Sequence, residues 1–346
     1  MAYTIVNKKG IKNYTLDDLK KEMVAISEKE YRAKQIYEWL YKKNVLTFDE
    51  MTNLSKELIA KLNEKYYIED LEILEKLESK DGTKKYLLGL PTVGAIECVL
   101  MKYKYGYTLC ISTQKGCRMG CKFCASTKAK FEGNLQTGEI VDQILKIQRE
   151  EGIRISNIVF MGIGEPLDNF DNLINAIKII NDPFGVEIGA RHISISTSGL
   201  ADRIRDLADL KTQCTLSISL HYTTDELRSE IMPINRRYNI EELLDACRYY
   251  IKVTGRRISF EYAMVDGLND SLEDAKRLVS LIKDIKCHIN LIRINEIDET
   301  NYKKSTNDNI LKFRDYLNDN NIVATIRRTL GEDIEAACGQ LRKQNM

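Results

Sequence analysis

Apolar spacing divides the chain into two regimes. Up to about residue 85 the apolar positions recur at helical intervals, over Leu16 to Ser27, over Tyr31 to Tyr41 with Ile36, Trp39 and Leu40 on one face, and over Lys56 to Lys65. These predict a small helical module. Asp81-Gly82 reads as a turn, followed by strand candidates at Lys84 to Leu90 and Gly94 to Tyr103. Beyond it, short β-rich runs alternate with amphipathic ones. Strands are predicted at Thr108 to Thr113, Ile155 to Met161, His192 to Thr197, Thr215 to Leu220, Ile258 to Val265 and His288 to Ile294. Helices are predicted between them at Gly138 to Glu150, Asn172 to Asn181, Leu200 to Leu207, Ile240 to Thr254 and Leu272 to Asp284. A strand followed by a helix, repeated about six times, predicts an α/β fold: a parallel sheet wrapped by helices, forming a partial TIM-like (βα)6 barrel open on one side. A C-terminal piece adds a helix at Asn309 to Asn320, a strand at Ile322 to Arg328 and a tail carrying Cys338. The expected domains are a helical module (1–85), a barrel core (86–305) and a C-terminal extension (306–346).

Composition narrows the setting. With 346 residues, 43% of them hydrophobic, the chain can build one domain of over about 200 residues and a smaller one. Its longest apolar runs, such as Ile155 to Ile163, fall far short of the roughly 20 residues that span a bilayer, and no signal-peptide pattern opens the chain. A cytoplasmic chain with no membrane partner is expected. Nine scattered cysteines suit reduced thiols better than a disulfide framework. A net charge of +1 gives no global bias toward nucleic acid, so RNA contact must come from local patches. Lys102, Lys104, Lys115, Arg118, Lys122, Lys128 and Lys130 supply one such candidate.

That basic stretch surrounds the most informative residues. Cys117, Cys121 and Cys124 place three soft ligands within eight residues, just after a predicted strand. A 4Fe–4S cluster usually takes four cysteines, so a triplet leaves one iron open to a substrate. The alternatives are a zinc knuckle lacking a ligand, or three unrelated buried thiols. Polar residues also collect at strand carboxyl ends, where sites of such sheets gather: Gly164-Glu165-Pro166, Ser196, Ser219-Leu220-His221 and Asn295. The Gly-x-Gly at 162–164 lacks the third glycine of a dinucleotide fingerprint.

The cysteine spacing, with Phe123 before the last thiol, resembles the radical S-adenosylmethionine superfamily. Further motifs resemble the methyl-synthase radical enzymes, which methylate an adenine ring carbon in RNA: Tyr31-Arg32-Ala33-Lys34-Gln35-Ile36, Glu97, Cys110, Met232-Pro233-Ile234-Asn235 and Ala337-Cys338-Gly339-Gln340-Leu341. The resemblance covers nearly the whole chain and takes in both carbon 2-specific 23S rRNA enzymes and resistance-conferring carbon 8 relatives. It implies that Cys117, Cys121 and Cys124 bind a 4Fe–4S cluster and that the amino and carboxylate groups of S-adenosylmethionine fill the open iron. It further implies cofactor contacts from Gly164, Glu165, Ser196, Ser219, Leu220, His221 and Asn295. Carbon 2 of adenine lies between two ring nitrogens and is too electron-poor to take a methyl cation. By the same resemblance Cys338 is methylated first, a second S-adenosylmethionine yields the radical that activates that methyl, and Cys110 resolves the RNA adduct through a disulfide. Glu97 is implied as a proton acceptor, 23S rRNA as substrate with tRNA as a second one, and a flavodoxin or ferredoxin as electron donor to a monomer. Gly164-Glu165-Pro166, Ala125-Ser126-Thr127 and Arg327-Arg328-Thr329 resemble the carbon 2 branch, whereas Asn290-Leu291-Ile292-Arg293 departs from it. Carbon 2 is the expectation. A reading of another class, a non-catalytic iron–sulfur or zinc RNA-binding protein, has no use for an open coordination position or for Cys338.

Overall fold

The computed structural model describes residues 8–91, 93–128, 130–295 and 302–341. Three helices open it: α1 (Leu16–Ala25), α2 (Tyr31–Tyr41) and α3 (Lys56–Lys65). Thr15 and Ser55 cap α1 and α3, each side chain accepting a backbone N–H three residues on. The stripe of α2 that reaches the core is Ala33, Ile36, Tyr37, Leu40 and Tyr41. Trp39 falls one position outside that stripe and is only half-buried, with its Nε1 donating to Asn53 Oδ1 at 2.6 Å.

A buried charge cluster ties this module to the barrel. Lys12 Nζ lies 2.5 Å from Asp142 Oδ1, with both side chains 0% exposed. The same ammonium donates to the Glu69 carbonyl at 2.7 Å, and the Lys12 backbone N–H donates to Glu69 Oε2 at 2.8 Å. Removing one member would strand the others without solvent.

Ten strands form one sheet: β1 (Glu72–Glu78), β2 (Lys84–Gly89), β3 (Ala95–Tyr103), β4 (Gly106–Cys110), β5 (Ile155–Phe160), β6 (Ile193–Thr197), β7 (Thr215–Ser219), β8 (Ile258–Met264), β9 (Cys287–Arg293) and β10 (Ala324–Ile326). They lie side by side in chain order. β1 to β4 run antiparallel and β4 to β10 parallel. The crossovers carry α4 (Thr137–Glu151), α5 (Phe170–Asn181), α6 (Ala201–Asp209), α7 (Asp225–Ile231) with α8 (Ile240–Thr254), α9 (Leu272–Ile282) and α10 (Asn307–Asp319). The expected strand–helix alternation is present, with the last parallel strand drawn from the C-terminal piece. Among the described residues β1 and β10 do not pair, so the barrel stays open.

Two elements differ from the sequence reading. β1 lies in the region read as helical, because Glu72-Ile73-Leu74-Glu75-Lys76-Leu77-Glu78 is an exposed edge strand with little apolar signal. The short helix α7, capped by Thr224, carried no periodicity long enough to detect. Among the described residues no helix is long and apolar enough to cross a membrane.

Candidate active site

The loop after β4 brings Cys117, Cys121 and Cys124 to one cavity at the carboxyl ends of the parallel strands. Cys121 is buried and the other two half-buried. Among the described residues no three His, Cys, Asp or Glu side chains converge closely enough for a single metal ion. A cubane asks for something else, since each thiolate takes its own iron and the sulfurs stand further apart. Burial pushes the Cys117 thiol up to about 12 and raises Cys121 and Cys124 as well, so an iron-free loop holds thiols rather than thiolates. Three cysteines on one short loop, facing a partly apolar cavity, fit a cluster held by three thiolates with one iron open.

Gly164 and Glu165 follow β5 and face the same cavity. Gly164 has φ +109°, and a Cβ there would meet the Gln114 backbone nitrogen at 2.8 Å. Glu165 is buried, with Oε1 accepting from Leu167 N at 3.1 Å and Oε2 from Ser198 N at 2.7 Å. Burial raises its pKa against these hydrogen bonds. Gln114 links this loop to the cysteine loop. Its Oε1 accepts from Glu165 N and its Nε2 donates to Asp168 Oδ2, both at 2.8 Å, while Arg118 grips Asp168 through two nitrogens at 2.5 and 2.8 Å. Part of the expected RNA-facing basic patch is therefore committed internally: Arg118 to Asp168, Lys122 to Glu230 at 3.1 Å and Lys115 to the Val93 carbonyl at 3.2 Å.

Ser196, Ser219, His221 and Asn295 line the cavity, and Leu220 does not. Leu220 is 0% exposed and contributes backbone, its carbonyl accepting from Arg228 Nε at 3.2 Å. Sequence reasoning missed Arg228. It is 0% exposed and also donates to the Ser198 carbonyl at 2.8 Å and the Ser219 carbonyl at 3.2 Å, so one guanidinium pins two strand-end turns. Asn235 Oδ1 accepts from Arg228 Nη1 at 2.8 Å, which accounts for the asparagine of the Met232-Pro233-Ile234-Asn235 motif. His221 adopts φ +57°, and burial drives its pKa down to about 3. Its Nδ1 accepts from Ala263 N at 3.0 Å, leaving Nε2–H as a neutral donor.

Cys338 lines this cavity and also a second, smaller one shared with Cys110, Met161 and Arg327. All nine cysteines are free thiols. Cys110 is buried, which pushes its thiol up to about 12. Asn295 Nδ2 holds the Cys338 carbonyl at 2.9 Å. Arg327, read only as part of a basic segment, stands here with its charged form favoured chiefly by Cys338. Glu97 lines neither cavity. It is 2% exposed, on the face of β3 that carries Val99 and Met101, and its Oε1 is 3.5 Å from Lys85 Nζ.

This arrangement defines a radical S-adenosylmethionine barrel with an accessory module, and comparison with known proteins agrees. Residues 111–279 match the profile of the Radical SAM superfamily, and residues 10–68 that of the Ribosomal RNA large subunit methyltransferase N-terminal domain. The chain is 54% identical over 336 residues to the "Probable dual-specificity RNA methyltransferase RlmN" of Clostridium perfringens strain SM101, covering 97% of each. A protein of the same name from Alkaliphilus oremlandii is 51% identical over 342 residues, covering 99% of each. The crystal structure of a radical SAM methyltransferase from Sphaerobacter thermophilus matches with a TM-score of 0.92 at 39% identity, covering 97% of this chain and 100% of that one. The chain belongs to this family of radical SAM RNA methyltransferases. Its cofactors are accordingly a 4Fe–4S cluster and S-adenosylmethionine.

Proposed function

We propose that this enzyme methylates carbon 2 of an adenine in 23S rRNA, and in tRNA as a second substrate, using two S-adenosylmethionine molecules per turnover. The observation that carries this reading is that Cys338 lines both the thiol-lined cavity and the cavity it shares with Cys110. A methyl acceptor must face the cofactor first and the base afterwards, and Cys338 borders both spaces. The cluster, when bound, supplies the electron that cleaves S-adenosylmethionine. Glu165, Ser196, Ser219 and His221 hold that cofactor by hydrogen bonds. Cys338 accepts a methyl group on sulfur and carries its carbon to the base, which leaves its stack to reach so enclosed a site. Cys110 resolves the adduct by forming a disulfide with Cys338, reduced before the next cycle. Glu97, paired with Lys85 behind Val99, is assigned to proton handling on the Cys110 side. The helical module, matching an rRNA methyltransferase N-terminal domain, grips the RNA. A flavodoxin or ferredoxin serves as electron donor, and the working form is a cytoplasmic monomer.

Mass spectrometry of 23S rRNA and tRNA from cells with and without the protein reads the product directly. Expected is 2-methyladenine that depends on Cys338; 8-methyladenine would move the chain to the carbon 8 branch. Cys110→Ala should accumulate an RNase-sensitive protein–RNA adduct on denaturing gels. Normal turnover without that band would remove Cys110 from the mechanism.

A further inference from the structure

Parallel barrels usually fill their bore with branched apolar side chains. Here, beside the apolar Val159 and Met161, much of the lining is small or polar, with Ser217 on β7, Ser259 and Glu261 on β8, and His288 on β9. They line a partly open cavity of about 290 Å³, room for several waters. Three polar atoms on this lining are buried without a hydrogen-bond partner: Glu261 Oε2, Thr108 Oγ1 and His288 Nδ1. Glu261 and Thr108 are 3% and 5% exposed. Glu261, Arg327 and Met161 also border the catalytic cavity, so the two spaces meet at these residues. From Glu261 a hydrogen-bonded row runs away from the cofactor end. Ser259 Oγ donates to Glu261 Oε1 at 3.1 Å and lies 3.3 Å from His288 Nε2. Asn290 Nδ2 braces both, at 2.9 Å from Glu261 Oε1 and 3.1 Å from Ser259 Oγ. His192, exposed at the strands' amino ends, lines the same bore.

We propose that this bore is a water-filled proton exit, with Glu261 its inner acceptor and Ser259 and His288 its relay. The inference rests on the proposed methylation of Cys338. In that step a C–S bond of the sulfonium breaks, an S–C bond to Cys338 forms, and S-adenosylhomocysteine leaves neutral. The sulfonium's positive charge is conserved and must depart as the thiol proton. The cavity that Cys338 lines meets the bore at Glu261, Arg327 and Met161, and the bore continues from there to the exposed His192. Around Glu261 the charged and titratable groups are Arg327, whose Nη1 is 3.7 Å from Oε2, His221, whose backbone N–H donates to the Glu261 carbonyl at 3.3 Å, Cys338 across the shared cavity, and His288 through Ser259.

Two measurements test this. A crystal structure of the cluster-loaded enzyme should show ordered waters bridging Glu261 Oε2, Thr108 Oγ1 and His288 Nδ1; a dry bore, or one filled by a nucleoside, overturns the proposal. Single-turnover formation of S-methylcysteine at Cys338 should slow about a hundredfold in Glu261→Gln and about tenfold in Ser259→Ala and His288→Phe. Glu261→Asp should retain most of the rate, and formate should restore part of it in Glu261→Gln. S-adenosylmethionine affinity should stay unchanged in Ser259→Ala and His288→Phe, whose residues do not line the cofactor cavity. Wild-type rates and an unchanged pH profile in Glu261→Gln overturn the conduit while leaving the function intact. Failure of the wild type to form S-methylcysteine would instead overturn the assigned function, and the conduit with it.

Discussion

Both oxygens of the Glu165 carboxylate are already held by backbone N–H groups, so its aim into the cavity is set before any cofactor arrives. Glu165→Gln keeps the shape, removes the charge and replaces one acceptor oxygen with a donor. A charge-assisted contact contributes roughly 1.5 to 3 kcal/mol, so S-adenosylmethionine binding should weaken about ten- to a hundredfold in anaerobic titration calorimetry. The cluster should still assemble, and an unchanged Kd would exclude Glu165 from the cofactor site. Cys117→Ala, Cys121→Ala or Cys124→Ala should each lose the cluster, read as iron and sulfide content after anaerobic purification. Full iron content in any of them would refute the ligand assignment. At this scale, what was legible depended on locality. The three cysteines announce themselves by spacing along the chain, as does the Gly164-Glu165 turn. Gln114, Asp168, Arg228 and Glu261 do not, because their partners lie on other strands and loops. A lone buried arginine looks like a surface charge until the carbonyls of Ser198, Ser219 and Leu220 are seen around it. Leu220 shows the converse, since its place in a strand-end triplet marked it for a contact, while its side chain is buried away from the cavity lining.

Among elements, the loop from β5 to α5 is held tightly at Gly164. Gly164→Ala forces a side chain into both positive φ and the Gln114 backbone. Backbone strain alone costs about 1 to 3 kcal/mol, and the displaced loop carries Glu165. The expected outcome is a folded protein with a lowered Tm and no measurable S-adenosylmethionine binding. At the junction of the helical module and α4, burial raises the Glu69 carboxyl to about 8 despite the Lys12 contacts. The folded state thus holds a proton that the unfolded chain releases near 4.5. Stability falls as pH rises from about 4.5 to 8. Wild-type Tm should drop across that window, and Glu69→Gln should flatten the drop; parallel curves would mean that Glu69 does not titrate there. Helices and strands with strong periodicity were legible nearly to their ends, α8 and β7 among them. β1 was not, because its charged edge-strand sequence lacks the buried face from which strands are read.

Over the whole molecule, the repeat of strand and helix made the barrel legible, and the resemblance put Cys338 beside Cys110, but nothing in the sequence showed how the tail is fastened. It runs from the β1–β2 turn to the cysteine loop. Gly331 N donates to Asp81 Oδ2 at 2.9 Å in the β1–β2 turn, and Asp333 Oδ1 accepts from Ser79 Oγ at 2.5 Å. At its other end Ala125 N donates to the Gly339 carbonyl at 2.7 Å, and Ser126 Oγ to the Leu341 carbonyl at 2.6 Å. Asp81→Ala should free the first attachment, seen as faster proteolytic loss of the C-terminal peptide with the core Tm little changed. Equal cleavage rates would show that the turn does not retain the tail. Ala125 and Ser126 directly follow Cys124, so the strap carrying Cys338 is fastened to the loop that carries the three cysteines. A disturbance of that loop should travel into the strap: Cys124→Ala should loosen it, seen as faster proteolytic loss of the C-terminal peptide, and an unchanged cleavage rate would show that loop and strap are independent.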